Sequence, residues 1–266
     1  MKSILVPIDF SPNSTIALEY AFRLANYNRA RIVVIHIDSN KLDEDAIEDM
    51  KEEIWVFCEE TRSKLDVAEV YYEVKVVPGD DISALNNPDY LALIDLVIMG
   101  TRGASSLNSS LIGSNTVNLL DRIKKPMLVI PNEAKYEEVK HIMFCADYKA
   151  TNFDFTLAPL KEFAIMVDAN VILGHIKLHS GAPNPTHLKE SRAEGEFFGT
   201  EVNHSYKLIH ADNVFDGIND FIDNHEGIQM VAMVNRKHNF FDQLFRTNNT
   251  HKMAYHTNLP LLVLPE

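Results

Sequence analysis

The stretch that decides the fold is LVIMGTRGASSLNSSLIGSNTVNLLDRIKKPMLVIP, residues 96–131. Its apolar opening, Leu96-Val97-Ile98-Met99, has the continuous hydrophobicity of a strand buried on both faces of a parallel sheet. Gly100 and Gly103 follow, then Gly113-Ser114 nine residues later. Val117, Leu119, Leu120 and Ile123 recur at helical spacing, and a second apolar run, Met127–Ile130, lies between Pro126 and Pro131. The stretch therefore predicts a βαβ unit with a strand-to-helix loop rich in glycine and small hydroxyl residues.

Such a loop suits phosphate. Glycine admits close backbone approach and positive φ, and a helix N-terminus presents unpaired N–H groups at the positive end of its dipole. Gly113-Ser114-Asn115-Thr116 stands where the helix should begin, and Arg102 adds a positive charge between the first two glycines. The alternative is an ordinary βα loop that happens to contain glycine. Three of the four glycines before residue 135 fall in this one motif, which favours the phosphate reading. The P-loop pattern G-x4-G-K-[ST] is absent, as is a G-x-G-x-x-G dinucleotide fingerprint.

The pattern G-x2-G-x9-G-[ST] after a strand, with a Pro-bounded final strand, resembles the ATP-binding branch of the universal stress protein family. The opening KSILVPIDFSPNSTIALEYA is similar to that family's first strand, its aspartate and its first helix. The resemblance implies a five-stranded parallel α/β sheet flanked by helices, with nucleotide across the carboxyl ends of the strands. It implies nucleotide contacts at Gly100, Arg102, Gly103, Gly113, Ser114, Asn115 and Thr116, and at Asp9 facing the nucleotide. Pro7, Ile37 and Met99 are expected to border adenine or ribose. Mg²⁺ is expected with the phosphates, with Asp9 as its candidate carboxylate. A purely local reading of Asp9, as the residue shaping the turn after the first strand, stays open.

Composition bounds the rest. At 266 residues, 46% hydrophobic and 24% charged, the chain has room for two globular domains. Its net charge is −13, with 13 basic and 21 acidic residues through Ala134 and 12 and 17 after it. That balance argues against nucleic acid or an anionic membrane as partner. Two cysteines without metal spacing suit a reducing compartment. No 18-residue apolar run and no signal-like N-terminus is present, so a cytoplasmic location is expected.

Taken in order, Lys2–Ile8 predicts the first strand and Ser11-Pro12 a capped helix start. The first helix is expected to bury Ile16, Ala17, Tyr20, Ala21, Leu24 and Ala25. Arg31–Ile37 predicts the second strand, with His36 read as a packed, hydrogen-bonded histidine. Residues 43–64 predict an acidic amphipathic helix with Ile47, Ile54, Phe57, Cys58 and Leu65 on its apolar side. A solvated face is the preferred reading of its acids. Ala68–Val77 predicts the third strand, and 81–94 a helix interrupted near Asn86-Asn87-Pro88.

After a polar linker, 132–139, the pattern restarts. HIMFCADYKATNFDFTLAPLKEFA parallels SILVPIDFSPNSTIALEYAFRLA, and residues 230–265 align without gaps on 96–131. The period is near 134–139 residues. Two tandem doubly wound α/β domains are expected, 1–134 and 135–266, pairing internally as a pseudo-dimer through Met127–Ile130 and Leu261–Leu264, with homodimerisation a further option. The second copy places Val234, Lys237, Thr247 and Asn248 where the first has Gly100, Gly103, Gly113 and Ser114, and adds Phe240, Phe241 and Phe245. Its loop is thus expected to bind no phosphate.

Residues 178–200 are unusually polar and read as a mobile segment, a small-ligand lid, or a metal site using His175, His179 or His187; no histidine pair has zinc-helix spacing. The resulting expectation is an ATP-binding stress-response protein with nucleotide as a switch ligand and an unknown protein partner. The rivals are an enzyme hydrolysing ATP or forming an adenylylated intermediate, and an interaction protein without nucleotide. HxGH and SGGxDS signatures are missing, and no nucleophile–base pair stands near the loop.

Overall fold

Short apolar runs alternating with amphipathic ones leave few solutions other than a parallel sheet with helices on its faces. The computed structural model describes residues 1–39, 42–67, 69–79, 82–86, 88–101, 114–146, 153–179, 195–225, 227–235 and 258–265. The chain divides into two units, Met1–Tyr136 and Glu137–Glu266.

In the first unit the elements are β1 (Ser3–Ile8), α1 (Pro12–Asn28), β2 (Arg31–Asp38), α2 (Glu44–Arg62), β3 (Tyr72–Pro78), a 3₁₀ turn (Ile82–Asn86), α3 (Pro88–Leu91), β4 (Leu96–Gly100), α4 (Ser114–Arg122) and β5 (Met127–Ile130). All strand pairs are parallel, in the order β3-β2-β1-β4-β5. The order reverses between β1 and β4, so the crossovers lie on opposite faces and the carboxyl ends of these two strands flank an open crevice. Ile4, Leu5 and Val6 of β1, Leu96–Ile98 of β4 and Leu128–Ile130 of β5 are fully or almost fully buried. This is the two-faced burial that continuous apolar runs predict.

Ser11 caps α1, its Oγ accepting from the Ser14 N–H at 3.2 Å. The helix buries Ala17, Tyr20, Ala21, Leu24 and Ala25, but Ile16 is only half-buried while Leu18 and Phe22 are fully enclosed. The stripe is thus broader than the spacing indicated, because α1 touches α2 as well as the sheet. The third strand, expected from Ala68, which lies outside the described residues, runs over Tyr72–Pro78, where its ladder with β2 starts at Ile32↔Tyr72. The interrupted helix is a 3₁₀ turn followed by the four-residue α3.

The second unit holds β6 (His141–Ala146), α5 (Phe153–Thr156), α6 (Ala158–Val167), β7 (Asn170–Leu178), β8 (His204–Ala211), α7 (Val214–Asn224), β9 (Met230–Asn235) and β10 (Leu261–Pro265). Its order is β8-β7-β6-β9-β10, again parallel throughout. The ladders repeat in register: Val97↔Met127 and Gly100↔Ile130 in one unit correspond to Val231↔Leu261 and Val234↔Leu264 in the other.

Smaller details repeat as well. Asp95 Oδ2 accepts from the Lys2 and Ser3 amides, and Gln229 Oε1 accepts from those of Lys140 and His141. Arg29 and Asp168 end their helices in the left-handed region, at φ 55° and 53°. One difference is local. The second unit divides the α1 counterpart into α5 and α6, with Pro159 in the first turn of α6, because proline offers no N–H to carry an earlier helix through.

Candidate functional site

The crevice begins at the end of β1, in Ile8-Asp9-Phe10-Ser11. Asp9 is half-buried, and its Oδ1 accepts from the Ser11 N–H at 3.1 Å. The turn is tight enough to put Phe10 at φ 58°, unusual for a bulky residue. Aromatic packing holds it there: the Phe10 ring lies 5.1 Å from His36 and 5.3 Å from Phe57. His36 is tied down in turn, its Nδ1 3.0 Å from the Ile8 carbonyl oxygen, as expected of a packed strand histidine. The turn after β1 is therefore built from three elements, β1, β2 and α2. It leaves the Asp9 carboxylate at the carboxyl edge of the sheet.

The other wall is the end of β4. A Cβ on Gly100 would stand 2.5 Å from the Asn13 Nδ2 and 3.0 Å from the Asn13 carbonyl oxygen. Glycine here lets α1 close over the strand. Asn13, 2% exposed, reaches past it so that Nδ2 donates to Thr101 Oγ1 at 3.5 Å. Thr116, also 2% exposed, donates its hydroxyl to the Gly100 carbonyl at 3.0 Å. That bond fixes the first turn of α4 against the strand end. Two helix N-termini, at Ser11-Pro12 and Ser114, thus open at the same edge as Asp9.

The expected site residues separate into groups. Asp9, Gly100, Ser114, Asn115 and Thr116 come together at this edge. Asn115 is exposed, whereas the Thr116 hydroxyl already serves Gly100. Pro7 and Met99 are buried within their ladders, and Ile37 is half-buried near the end of β2. Arg102, Gly103 and Gly113 lie outside the described residues. Asn13 and Phe10 were not singled out from the sequence. Asn13 did carry a signal, being a polar residue four before Ala17 on the buried stripe of α1. Phe10 carried none, because its partners come from distant segments.

In the second unit Val234 takes the register place of Gly100 and is buried. Asp147, which the repeat places opposite Asp9, lies outside the described residues, as do Lys237, Phe240, Phe241, Phe245, Thr247 and Asn248. So does His187, with Gly181, Pro183 and Pro185. The described end of the polar segment is anchored: Phe198 is fully buried, and Lys161 Nζ donates to the Phe197 carbonyl and pairs with Glu201. His175 is buried in β7, and His179 Nδ1 lies 3.1 Å from Asp212 Oδ1. Among the described residues no group of three His, Cys, Asp or Glu is placed to hold a metal ion. Burial, with the Glu59 charge beside it, pushes the Cys58 thiol up to about 12, and burial alone raises that of Cys145, so neither is poised as a nucleophile.

Comparison with known proteins agrees with this architecture. Residues 1–131 match the model of the universal stress protein family. A universal stress protein from Methanocaldococcus jannaschii is 24% identical over 155 residues, 48% of this chain and 94% of that protein. Among solved structures, a universal stress protein from Archaeoglobus fulgidus superposes with a TM-score of 0.72 at 18% identity, covering 98% of this chain and 97% of that one. A Pseudomonas aeruginosa structure, described as a putative universal stress protein, gives 0.59 at 13% identity, over 100% and 93%. At such identities these superpositions speak for the fold. No described helix is long and apolar enough to cross a membrane.

Proposed function

We propose that this chain, whose residues 1–131 belong to the universal stress protein family, binds one ATP in its first unit and uses it as a regulatory ligand. The observation that carries the reading is a coincidence of sequence and place. The motif Gly100-x2-Gly103-x9-Gly113-Ser114 spans the end of β4 and the start of α4, at the edge where strand order reverses and where α1 also begins.

In this reading the amides of Ser114, Asn115 and Thr116 and the glycine backbone take the phosphates, and Arg102 adds charge. Asp9 is the carboxylate suited to a Mg²⁺ shared with the phosphates, a cation that neutralises phosphate charge when bound. Pro7, Ile37 and Met99 line the base and ribose side through backbone and apolar contact. The second unit, with Val234 in place of Gly100 and Thr247 in place of Gly113, is the non-binding copy and keeps only the frame. The conformational response to ATP regulates an interaction with another protein in a stress response.

Titration calorimetry of the full chain with Mg-ATP tests this. One site per chain is expected, abolished by Gly113→Val with the circular dichroism spectrum retained. A Gly113→Val chain binding within threefold of wild type, about 0.65 kcal/mol, overturns the phosphate cradle. A stoichiometry of two overturns the division of labour between the units.

A further inference from the structure

A second surface, remote in sequence from the glycine motif, has features of its own. Trp55 of α2 is 53% exposed. It lines a groove of about 390 Å³ between α2 and β3, with Glu48, Asp49, Lys51, Glu52 and Trp55 on the helix side and Tyr72 and Val74 on the strand side. Tyr72 is fixed as a wall, because its hydroxyl donates to Glu59 Oε1 at 2.6 Å and its ring meets Phe22 edge-on.

Two further properties narrow what the groove accepts. The first is charge. Helix α2 carries eight acidic residues against Lys51 and Arg62. Both of those cations are already engaged, Lys51 with Glu48 and Arg62 with Glu59. Among the described residues neither Asp49 nor Glu52 is ion-paired. Two carboxylates beside an exposed indole favour a cation, and guanidinium above ammonium, since it stacks on an aromatic face while donating to carboxylates. The second is the strand. Among the described residues of this unit β3 pairs only with β2, so its outer edge presents backbone N–H and C=O groups that an added strand would satisfy. Tyr72 and Val74 are two apart, so they share one face of β3, the face that turns to α2.

We propose that this groove is a docking site for an extended, arginine-bearing segment of a partner protein, which adds to the edge of β3. Alternate side chains of the added strand enter the groove, where arginine lies against Trp55 and meets Asp49 and Glu52. Backbone pairing supplies affinity, and the acidic, aromatic side of α2 selects the cationic side chains. A nucleic acid or anionic surface would meet repulsion from the same carboxylates.

Trp55 is the only tryptophan in the chain, so its emission reports on the groove alone. The probe is an end-blocked octapeptide of alternating arginine and valine, titrated into the full chain at low salt. A saturable change in emission is expected, weakening at least tenfold in 0.5 M NaCl as screening shortens the range of the charges. The double variant Asp49→Asn with Glu52→Gln should bind at least fivefold more weakly with an unchanged circular dichroism spectrum. A peptide N-methylated at alternate residues, unable to pair with a strand edge, should fail to bind. No saturable response up to 1 mM peptide overturns the proposal. So does equal binding of the glutamate–valine peptide or of the N-methylated peptide. An emission change that tracks self-association of the chain in sedimentation assigns the groove to a second copy and likewise overturns it.

Discussion

Asn13 lies directly over Gly100: a Cβ at residue 100 would come within 2.5 Å of the Asn13 Nδ2. Gly100 is therefore required by helix packing before any ligand is considered. The first glycine of the motif and the first helix are one device, which brings the start of α1 against the end of β4.

Gly100→Ala should destabilise the fold by about 1–3 kcal/mol, the usual cost of overpacking. Adding Asn13→Ala should recover part of that loss, since the clashing side chain is gone. Urea unfolding of the two single variants and the double variant measures the coupling. Strict additivity would show that the contact is not the cause.

Thr116 has a similar structural debt to Gly100. Thr116→Val removes the donor to a buried carbonyl and should cost about 1–3 kcal/mol, whereas Thr116→Ser should keep most of the stability. If Thr116→Val instead leaves the urea midpoint in place and removes ATP affinity, the hydroxyl belongs to the ligand and not to the frame.

ATP turnover should be slow. The turn at Asp9 provides a carboxylate, whose Oδ1 accepts from the Ser11 N–H, while the nearby His36 has its Nδ1 engaged with the Ile8 carbonyl and is not available there as a base. Steady-state phosphate release is expected far below about 1 s⁻¹, the lower end of ordinary enzymes. Release near that rate, lost in Asp9→Ala, would make the protein an enzyme.

Glu59 gives a pH test. Hydrogen bonds from Arg62 and Tyr72 hold its carboxyl below the usual glutamate range. In the window between its folded and unfolded values the unfolded chain binds more protons. The contribution is thus complete above the ordinary glutamate range and is lost as pH falls through the lowered one. At a partly exposed site it should stay below about 1 kcal/mol. Urea midpoints of wild type and Glu59→Gln should differ at pH 7 and converge near pH 3. A gap that is constant with pH would rule out this source.

What the sequence determined by itself are the features carried by local spacing. The β4–α4–β5 unit, the Ser11 cap, the acidic helix and the period that maps 96–131 onto 230–265 all follow from apolar runs, turn residues and helical stripes. Those signals act over a few residues, so a linear reading captures them. Tertiary structure decided what depends on contacts between distant segments. Asn13 meets Thr101 across 88 positions, Phe10 is held at φ 58° by rings from β2 and α2, and Thr116 is turned to the Gly100 carbonyl and away from solvent. Trp55 makes a related point. It lies off the apolar side of α2 that the spacing marks and is exposed as that spacing implies, but only the placement of α2 against β3 puts it in the wall of a groove. Periodicity encodes which residues seek burial; which side chains meet, and which are left uncovered, is set by how the elements close on one another.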